Sequence, residues 1–283
     1  SYGWEMELSW RDRIEDFNYG VRFTLADGQR KVLKYPNESG DIYSWYNNKL
    51  DGTIWGYTTV GIAQTQEEMD AHLANNKPNW GSNWGAGDIM YADLNGDGEV
   101  TSGSKTLNDH GDLKVIGNSY ARYNFGFTVD GSWRGLDFSI FLQGTMKRDY
   151  WLDGPYFWGA SGDEWQSACF TEHLDYWTPE HTNAYYPKPY FGNIKKNQEV
   201  QSGYLQNAAY LRVKNVQVGY TLPKSWTKKA AMESVRFYVS GDNLLTWTGI
   251  SSIFDPETLG GDWGPGKLYP LQRTLSVGVN VNF

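Results

Sequence analysis

Apolar and polar residues alternate along most of residues 123–143. Aromatic and aliphatic side chains occupy every second position, and a short turn-forming segment at 132–135 divides the stretch into two halves. Only Phe141 interrupts the polar series. Because side chains along a strand point alternately to opposite faces, this pattern predicts a β-hairpin with one apolar and one mostly polar face. The apolar positions are Tyr123, Phe125, Phe127, Val129, Leu136, Phe138, Ile140 and Leu142.

The same period of two recurs on both sides of this hairpin. A polar turn is predicted at 12–16, and the segment 224–233 is predicted to be a turn with helical character. Together with the hairpin, the pattern predicts an all-β fold of about seven antiparallel strands. The five additional strands are predicted at 4–10, 17–25, 215–222, 235–240 and 274–283.

The predicted strands are joined by connections of two very different lengths. Short turns alternate with long connections at about 27–119, 148–207 and 249–269. Outer-membrane barrels have short periplasmic turns and long extracellular loops. We therefore predict that the three long connections are extracellular loops. The first is also predicted to contain a helix, because Thr65 and Glu68 have the spacing of a capping box.

Composition favours a membrane barrel over a secreted β-sandwich. Aromatic residues make up 16% of the chain, with 14 Trp and 20 Tyr, as is usual where aromatic girdles flank an apolar belt. The net charge of −8 argues against a nucleic-acid partner. Bacterial single-chain barrels have an even number of strands and at least about eight. The chain is therefore predicted to be the C-terminal part of a larger transmembrane barrel, with the rest of the barrel as its partner.

Several short runs resemble the SusC/RagA family, which comprises TonB-dependent transporters of the Gram-negative outer membrane. The runs follow one another in order from residue 87 to the end of the chain. Before residue 87, only the alternating pattern supports the assignment. The matching runs are GDIMYADLNGDG at 87–98, VIGN at 115–118, GLDFS at 135–139, FLQG at 141–144, YWTPE at 176–180, YLRVKN at 210–215, GYTLP at 219–223 and YVSGDNLLT at 238–246.

The resemblance implies a multi-pass barrel of about 22 strands with a plugged lumen in the cell outer membrane. It also implies a SusD-like surface lipoprotein as partner, TonB as the source of energy, and oligosaccharides or peptides as the imported substrate. The plug domain and the TonB-contacting segment are expected to lie outside this chain. Two alternatives stay open at this point: a secreted or surface carbohydrate-binding β-sandwich, and a TonB-dependent receptor for a metal chelate.

An acidic loop within the first long connection matches the first half of a calcium-binding loop. Asp93, Asn95 and Asp97 occupy positions one, three and five, and Glu99 would offer its backbone carbonyl from position seven. Ser104 stands where a bidentate carboxylate is usual, so Asp109 or Asp112 would have to replace it. The loop is therefore predicted to hold Ca²⁺ in a structural role. The alternative is an acidic turn without metal.

The second long connection carries candidate substrate-contacting aromatic residues. Trp151, Tyr156, Trp158 and Trp165 could stack on sugar rings or peptide side chains, or could simply pack within the loop. The four His residues show no metal-ligand spacing, and no nucleophile and base stand in a recognisable pattern. The chain is therefore not expected to be an enzyme.

Overall fold

A computed structural model describes residues 1–160, 169–192, 195–260 and 264–283. Seven long strands make up its main sheet, and the others are short pairings within the connections. In chain order, the strands of the described residues are β1 Tyr2–Ile14, β2 Phe17–Gln29, β3 Thr53–Gly56, β4 Thr59–Ile62, β5 Lys77–Pro78, β6 Ile89–Tyr91, β7 Glu99–Val100, β8 Lys114–Asn118, β9 Arg122–Trp133, β10 Leu136–Lys147, β11 Asp149–Tyr150, β12 Gln206–Thr221, β13 Ser234–Gly249 and β14 Thr274–Asn282.

Helices are short and lie in the connections. Among the residues that the structure describes, no helix has the length and apolar content needed to cross a membrane. The α-helices are α1 Gln66–Leu73, α2 Pro155–Trp158, α3 Lys195–Gln198 and α4 Lys224–Thr227, and 3₁₀ turns cover Thr171–Leu174, Ser202–Tyr204 and Lys228–Ala230.

The predicted capping box at α1 is only half formed. The Thr65 side chain accepts a hydrogen bond from the backbone N–H of Glu68, as expected of an N-cap. The Glu68 carboxylate, however, accepts from the N–H of Gln64 at 2.6 Å instead of from that of Thr65. The helix still begins where the sequence predicts, and its Met69 is fully buried.

All seven predicted strands lie in one antiparallel sheet, in the order β1-β2-β9-β10-β12-β13-β14. Two-residue strand β11 pairs with β12 beside this path. The order follows the chain, so each long strand neighbours the next long strand in sequence. The fold class predicted from the alternation is confirmed. The β-sandwich alternative is wrong, because the seven strands form a single sheet.

Two predicted turns are shorter than expected. Strand β1 continues through Ile14, so Glu15 and Asp16 alone connect it to β2, and not the whole segment 12–16. The β9–β10 hairpin turns at Arg134 and Gly135, with φ values of 47° and 91°. Positive φ at both central residues gives the turn whose twist matches that of the paired strands.

Cross-strand pairing keeps apolar and polar positions on separate faces of the sheet. Phe138 pairs with Val218, Val218 with Val239, and Val239 with Val277, so these four side chains form one row. Val239 is 55% exposed and Val277 is 85% exposed, although both are aliphatic. An uncovered apolar face of this kind suits contact with lipid. The same face carries Phe125, Phe127, Ile140 and Val279.

The opposite face carries ion pairs between strands, either directly adjacent or separated by one strand. Arg22 of β2 contacts Glu7 of β1 at 2.8 Å, and Arg236 of β13 forms a bidentate pair with Asp137 of β10. Phe141, the one aromatic residue in the polar series, also lies on this face, where its ring approaches Gly126 of β9. The ring of Phe141 therefore fills the space beside Gly126, which has no side chain.

A bulge explains why the sequence pattern shows only part of β12. The register shifts between Val213 and Asn215 relative to both neighbours, so Lys214 is left without a cross-strand partner. Because the extra residue reverses the alternation, Arg212 and Asn215 lie on the same, polar face, opposite Gln143 and Phe141. The strand in fact begins at Gln206. The period of two predicts a start at residue 215, because the alternation is continuous only after the bulge.

The hydrophobic core lies in the connections and not in the sheet. Its fully or nearly fully buried residues come from all three long connections, which we call together the loop body. The loop body therefore folds around a core shared by all three connections, although each connection alone lacks a regular pattern. A smaller separate cluster of Ala63, Met69 and Met90 lies within the first connection. The core residues are Ile42, Tyr57, Ile89, Tyr91, Val100 and Leu113 from the first connection, Leu152, Phe157, Trp158, Tyr186 and Tyr204 from the second, Ile250, Phe254 and Leu259 from the third, and Ala208 of β12.

Candidate functional site in the loop body

The acidic loop is built around the carboxylate of Asp93. One oxygen accepts hydrogen bonds from the N–H groups of Asn95 at 3.0 Å and Gly96 at 2.6 Å, and the other accepts from Gly98 at 2.8 Å. The amides of Gly98 and Gly96 lower the pKa of Asp93, because they stabilise its charged form. Gly96 and Gly98 have φ values of 81° and 89°, a region that favours glycine.

The other two predicted ligands continue the same turn. The side-chain oxygen of Asn95 accepts from the N–H of Asp97 at 2.9 Å, and Asp97 accepts from the N–H of Glu99 at 2.9 Å. The amide of Asn95 also donates to the second oxygen of Asp97. The three side chains that the sequence pattern selects are therefore brought together in one loop.

Asp112 closes this loop, and Asp109 does not. Asp112 is fully buried and accepts from the N–H groups of Leu94 at 2.6 Å and Thr101 at 2.7 Å. Asp109 instead accepts from Ser104, the residue at position twelve. No group of three or more His, Cys, Asp or Glu side chains in the described ranges is arranged to hold a metal ion. Ca²⁺ binding therefore stays a prediction.

The predicted aromatic contacts lie in or against the core of the loop body. Trp158 is 6% exposed, and its ring lies 4.8 Å from that of Tyr204. Trp151 packs 6.0 Å from Trp158, and Tyr156 stacks on Phe170 at 5.8 Å. This packing agrees with the alternative that these aromatic residues only stabilise the loop. Substrate contact by Trp151, Tyr156 and Trp158 stays a prediction. Trp165 lies outside the described residues.

A buried ion pair that sequence reasoning missed joins the first two connections. The Lys196 ammonium lies 2.6 Å from the Asp88 carboxylate, and both side chains are fully buried. The ammonium also lies over the ring of Tyr190, 4.3 Å from its centroid. Asn197 strengthens the junction, because its side chain donates to Asp88 and accepts from the N–H of Ile89. No local sequence pattern predicts this contact, because Asp88 and Lys196 come from different connections.

A second ionic group fixes the third connection to the sheet. On the polar face, Arg212 of β12 contacts Asp255 and Glu257 at 2.8 Å each. Lys214, the bulge residue, contacts the other oxygen of Glu257 at 2.9 Å. The charged residues of the run at 210–215 therefore hold the third connection against the sheet. The sequence analysis identified the run at 210–215 as a family motif, but it did not indicate that Asp255 and Glu257 are its ionic partners.

Curated relatives match the chain over its whole length. It is 26% identical over 311 residues to TonB-dependent receptor P3 of Formosa agariphila, covering 99% of this chain and 28% of that protein. It is 22% identical over 298 residues to TonB-dependent receptor SusC of Bacteroides thetaiotaomicron, covering 100% of this chain and 26% of that protein. The chain is SusC/RagA-like. It spans little more than a quarter of the length of these relatives. No protein-family model matches the chain.

Solved structures show the same fold. The RagAB peptide importer in its open-open state matches with a TM-score of 0.69 and 19% identity, over 99% of this chain and 28% of that one. A further structure of the RagAB peptide transporter gives a TM-score of 0.66 at 20% identity. The seven-stranded sheet thus has the fold of a part of a large transmembrane β-barrel. The predicted location in the outer membrane is confirmed.

Proposed function

We propose that this chain forms part of the wall and extracellular cap of a transporter that imports oligosaccharides or peptides with energy from TonB. The observation that supports this most is the combination of an exposed apolar face and a match over 99% of the chain to TonB-dependent receptors. The apolar face would contact lipid, and the face with the ion pairs would line the lumen. The plug and the contact with TonB would belong to other parts of the receptor.

We also propose that a SusD-like lipoprotein covers the loop body from outside. The support is the likeness to SusC and to the RagAB importer. The shared core of the loop body gives such a partner a preformed surface. Because the loops are already ordered, binding costs them little conformational entropy. A metal-chelate receptor is the alternative, and it would need no such lipoprotein.

Uptake by cells that carry the full-length receptor tests this function. We expect deletion of the receptor, of TonB or of the lipoprotein to abolish uptake of one labelled pool, either oligosaccharides or peptides. A tagged receptor should also copurify the lipoprotein in detergent. Uptake that continues without TonB would contradict the proposal. Loss of iron-chelate uptake alone, with no copurifying lipoprotein, would favour the chelate receptor.

We propose further that the acidic loop holds Ca²⁺ through Asp93, Asn95, Asp97 and the carbonyl of Glu99. Three observations support this proposal: the ligand spacing, the hydrogen bonds from backbone N–H groups that favour the charged form of Asp93, and the contact of Asp112 with the same loop. Ca²⁺ prefers six to eight oxygen ligands at about 2.3–2.6 Å, so the loop would have to close slightly around the ion. The ion would order the loop and would take no part in any chemistry.

Asp97→Asn is expected to weaken calcium protection of this loop while keeping its turn. The amide oxygen can still accept from the N–H of Glu99, but the negative charge is lost. In the parent receptor, chelator should speed proteolysis within residues 93–112, and added Ca²⁺ should reverse the effect. Asp97→Asn should be cleaved quickly at all Ca²⁺ levels up to roughly millimolar. Asp153→Ala, at an exposed Asp of another loop, is the control. If chelator leaves cleavage of the parent unchanged, the acidic turn binds no calcium.

A further inference from the structure

A cavity of about 210 Å³ lies inside the loop body, between the first and second long connections. None of its lining residues belongs to the seven long strands. Its floor consists of Leu113, which is 3% exposed, Tyr57, which is 6% exposed, and Trp80. The cavity is thus a feature of the loops and not of the sheet, and two of its lining residues, Ser102 and Lys105, belong to the segment 93–112 that contains the acidic loop.

Backbone hydrogen bonds fix the positions of the floor residues. The N–H of Tyr57 donates to the carbonyl of Val200 at 2.8 Å, and its own carbonyl accepts from the N–H of Ser202 at 3.0 Å. The N–H of Asn79, next to Trp80, donates to the carbonyl of Val100 at 3.1 Å. The site is therefore formed before any ligand arrives, which lowers the entropic cost of binding.

Four of the ten residues that line the cavity are aromatic. The rings of Tyr57 and Trp80 lie 4.6 Å apart and are tilted by 30° to each other, and both line the site. Trp55 and Tyr43 also line the cavity, and Tyr43 is 58% exposed at its mouth. Broad aromatic faces bind ligands that present flat apolar surfaces, including the C–H faces of sugar rings.

The polar groups at the cavity are mixed and balanced in charge. Lys105 and Glu199 contribute one positive and one negative charge, while Asn79 and Ser102 are neutral. Burial and the Glu199 charge raise the pKa of Tyr43 and of Tyr57, which keeps their phenols protonated. These groups offer both donors and acceptors, as hydroxyl groups of a ligand require. The balance gives no net charge that would select a cation or an anion.

We propose that this cavity binds one neutral, polyhydroxylated ring, namely a pyranose residue of a glycan. Its volume of about 210 Å³ lies below the roughly 300–1,000 Å³ of sites for drug-sized ligands, so it suits a single ring and not a chain. The biological role of the site rests on the proposed import function and narrows it, because it favours glycans over peptides. The site would hold one sugar unit of an oligosaccharide at the extracellular surface.

Binding of simple glycosides to the full-length receptor in detergent tests the site. The probes are the methyl glycosides of glucose, galactose and mannose, with lysine amide and glucuronate for comparison, and saturation-transfer NMR and calorimetry are the readouts. We expect at least one methyl glycoside to bind more tightly than either charged probe. Tyr43→Ala should weaken its affinity about tenfold, because a stacking face is lost. Tyr35→Ala removes a tyrosine of the same loop that is 42% exposed and lies outside the cavity, so it should change nothing.

Three results would overturn the inference. These are no binding of any methyl glycoside, equal weakening by Tyr35→Ala and Tyr43→Ala, and tighter binding of lysine amide, which would make the site an aromatic cage for amines. The TonB-dependent uptake assay separates this inference from the proposed function. Glycoside binding that is lost in Tyr43→Ala, in a receptor whose uptake ignores TonB, would leave the site standing and the import function rejected. TonB-dependent uptake without any glycoside binding would do the reverse.

Discussion

Val277→Arg is expected to reduce the amount of receptor assembled in the outer membrane much more than Ser276→Arg does. Val277 lies on the apolar face, in the row with Val239, and it is 85% exposed. An arginine near the middle of the bilayer costs roughly 2–4 kcal/mol when it faces lipid. The measurement is the fraction of heat-modifiable, folded receptor in outer-membrane preparations.

The two positions are a matched pair, because they are adjacent in β14 and differ in the face they occupy. Ser276 pairs with Ser240 on the polar face, where an arginine would reach the water of the lumen. Ser276→Arg should therefore assemble at close to parental levels. Equal loss of assembly in both variants would mean that the assignment of the faces is wrong.

The sheet could be predicted because each long strand has one apolar and one polar face. A slip by one residue would turn all apolar side chains to the wrong face, so the alternation is strongly constrained and visible in the sequence. It fails where the constraint is locally released. The bulge at Lys214 reverses the alternation of β12, and residues 11–13 of β1 are too polar to extend the pattern. The number of long strands was therefore predicted correctly, whereas the lengths of all of them except β14 were underestimated.

The loop body could not be predicted in the same way. Its pairings, such as β3 with β8 and β4 with β6, are only a few residues long and carry no measurable period. Its core collects aromatic residues from three connections, and sequence reasoning had no means of deciding that Trp158 would meet Tyr204. In contrast, the acidic loop was recognisable, because ligand spacing and glycine positions are local properties. The role of Asp112 in that loop was only one of two possibilities until its contacts were known.

Contacts between distant segments therefore decide how the loop body is held together. The Asp88–Lys196 pair is the strongest example, since both side chains are fully buried and belong to different connections. A buried pair adds little net stability compared with apolar residues of similar size. Removing one partner is different, because the remaining buried charge then has no opposite charge beside it. This asymmetry makes the pair a sensitive test of whether the first two connections behave as one unit.

Lys196→Met is expected to loosen the junction between the first and second connections while the barrel wall stays folded. Leaving a buried carboxylate unpaired costs roughly 3–5 kcal/mol. A loss of roughly 3 kcal/mol corresponds to on the order of a hundredfold faster exchange of amides protected at this junction. The amides to follow by hydrogen exchange are those of Gly85, which donates to Asp88, and Ile89, which donates to Asn197.

Two further variants make this result specific to the buried pair. Lys34→Met removes an exposed lysine of the first connection and should leave exchange unchanged. Asp88→Asn combined with Lys196→Met removes both charges, so it should recover much of the protection that Lys196→Met alone loses. Protection in Lys196→Met equal to that of the parent would show that the pair does not hold the two connections together. Failure of the double variant to recover would mean that Lys196 acts through its contact with Tyr190 and not through its charge on Asp88.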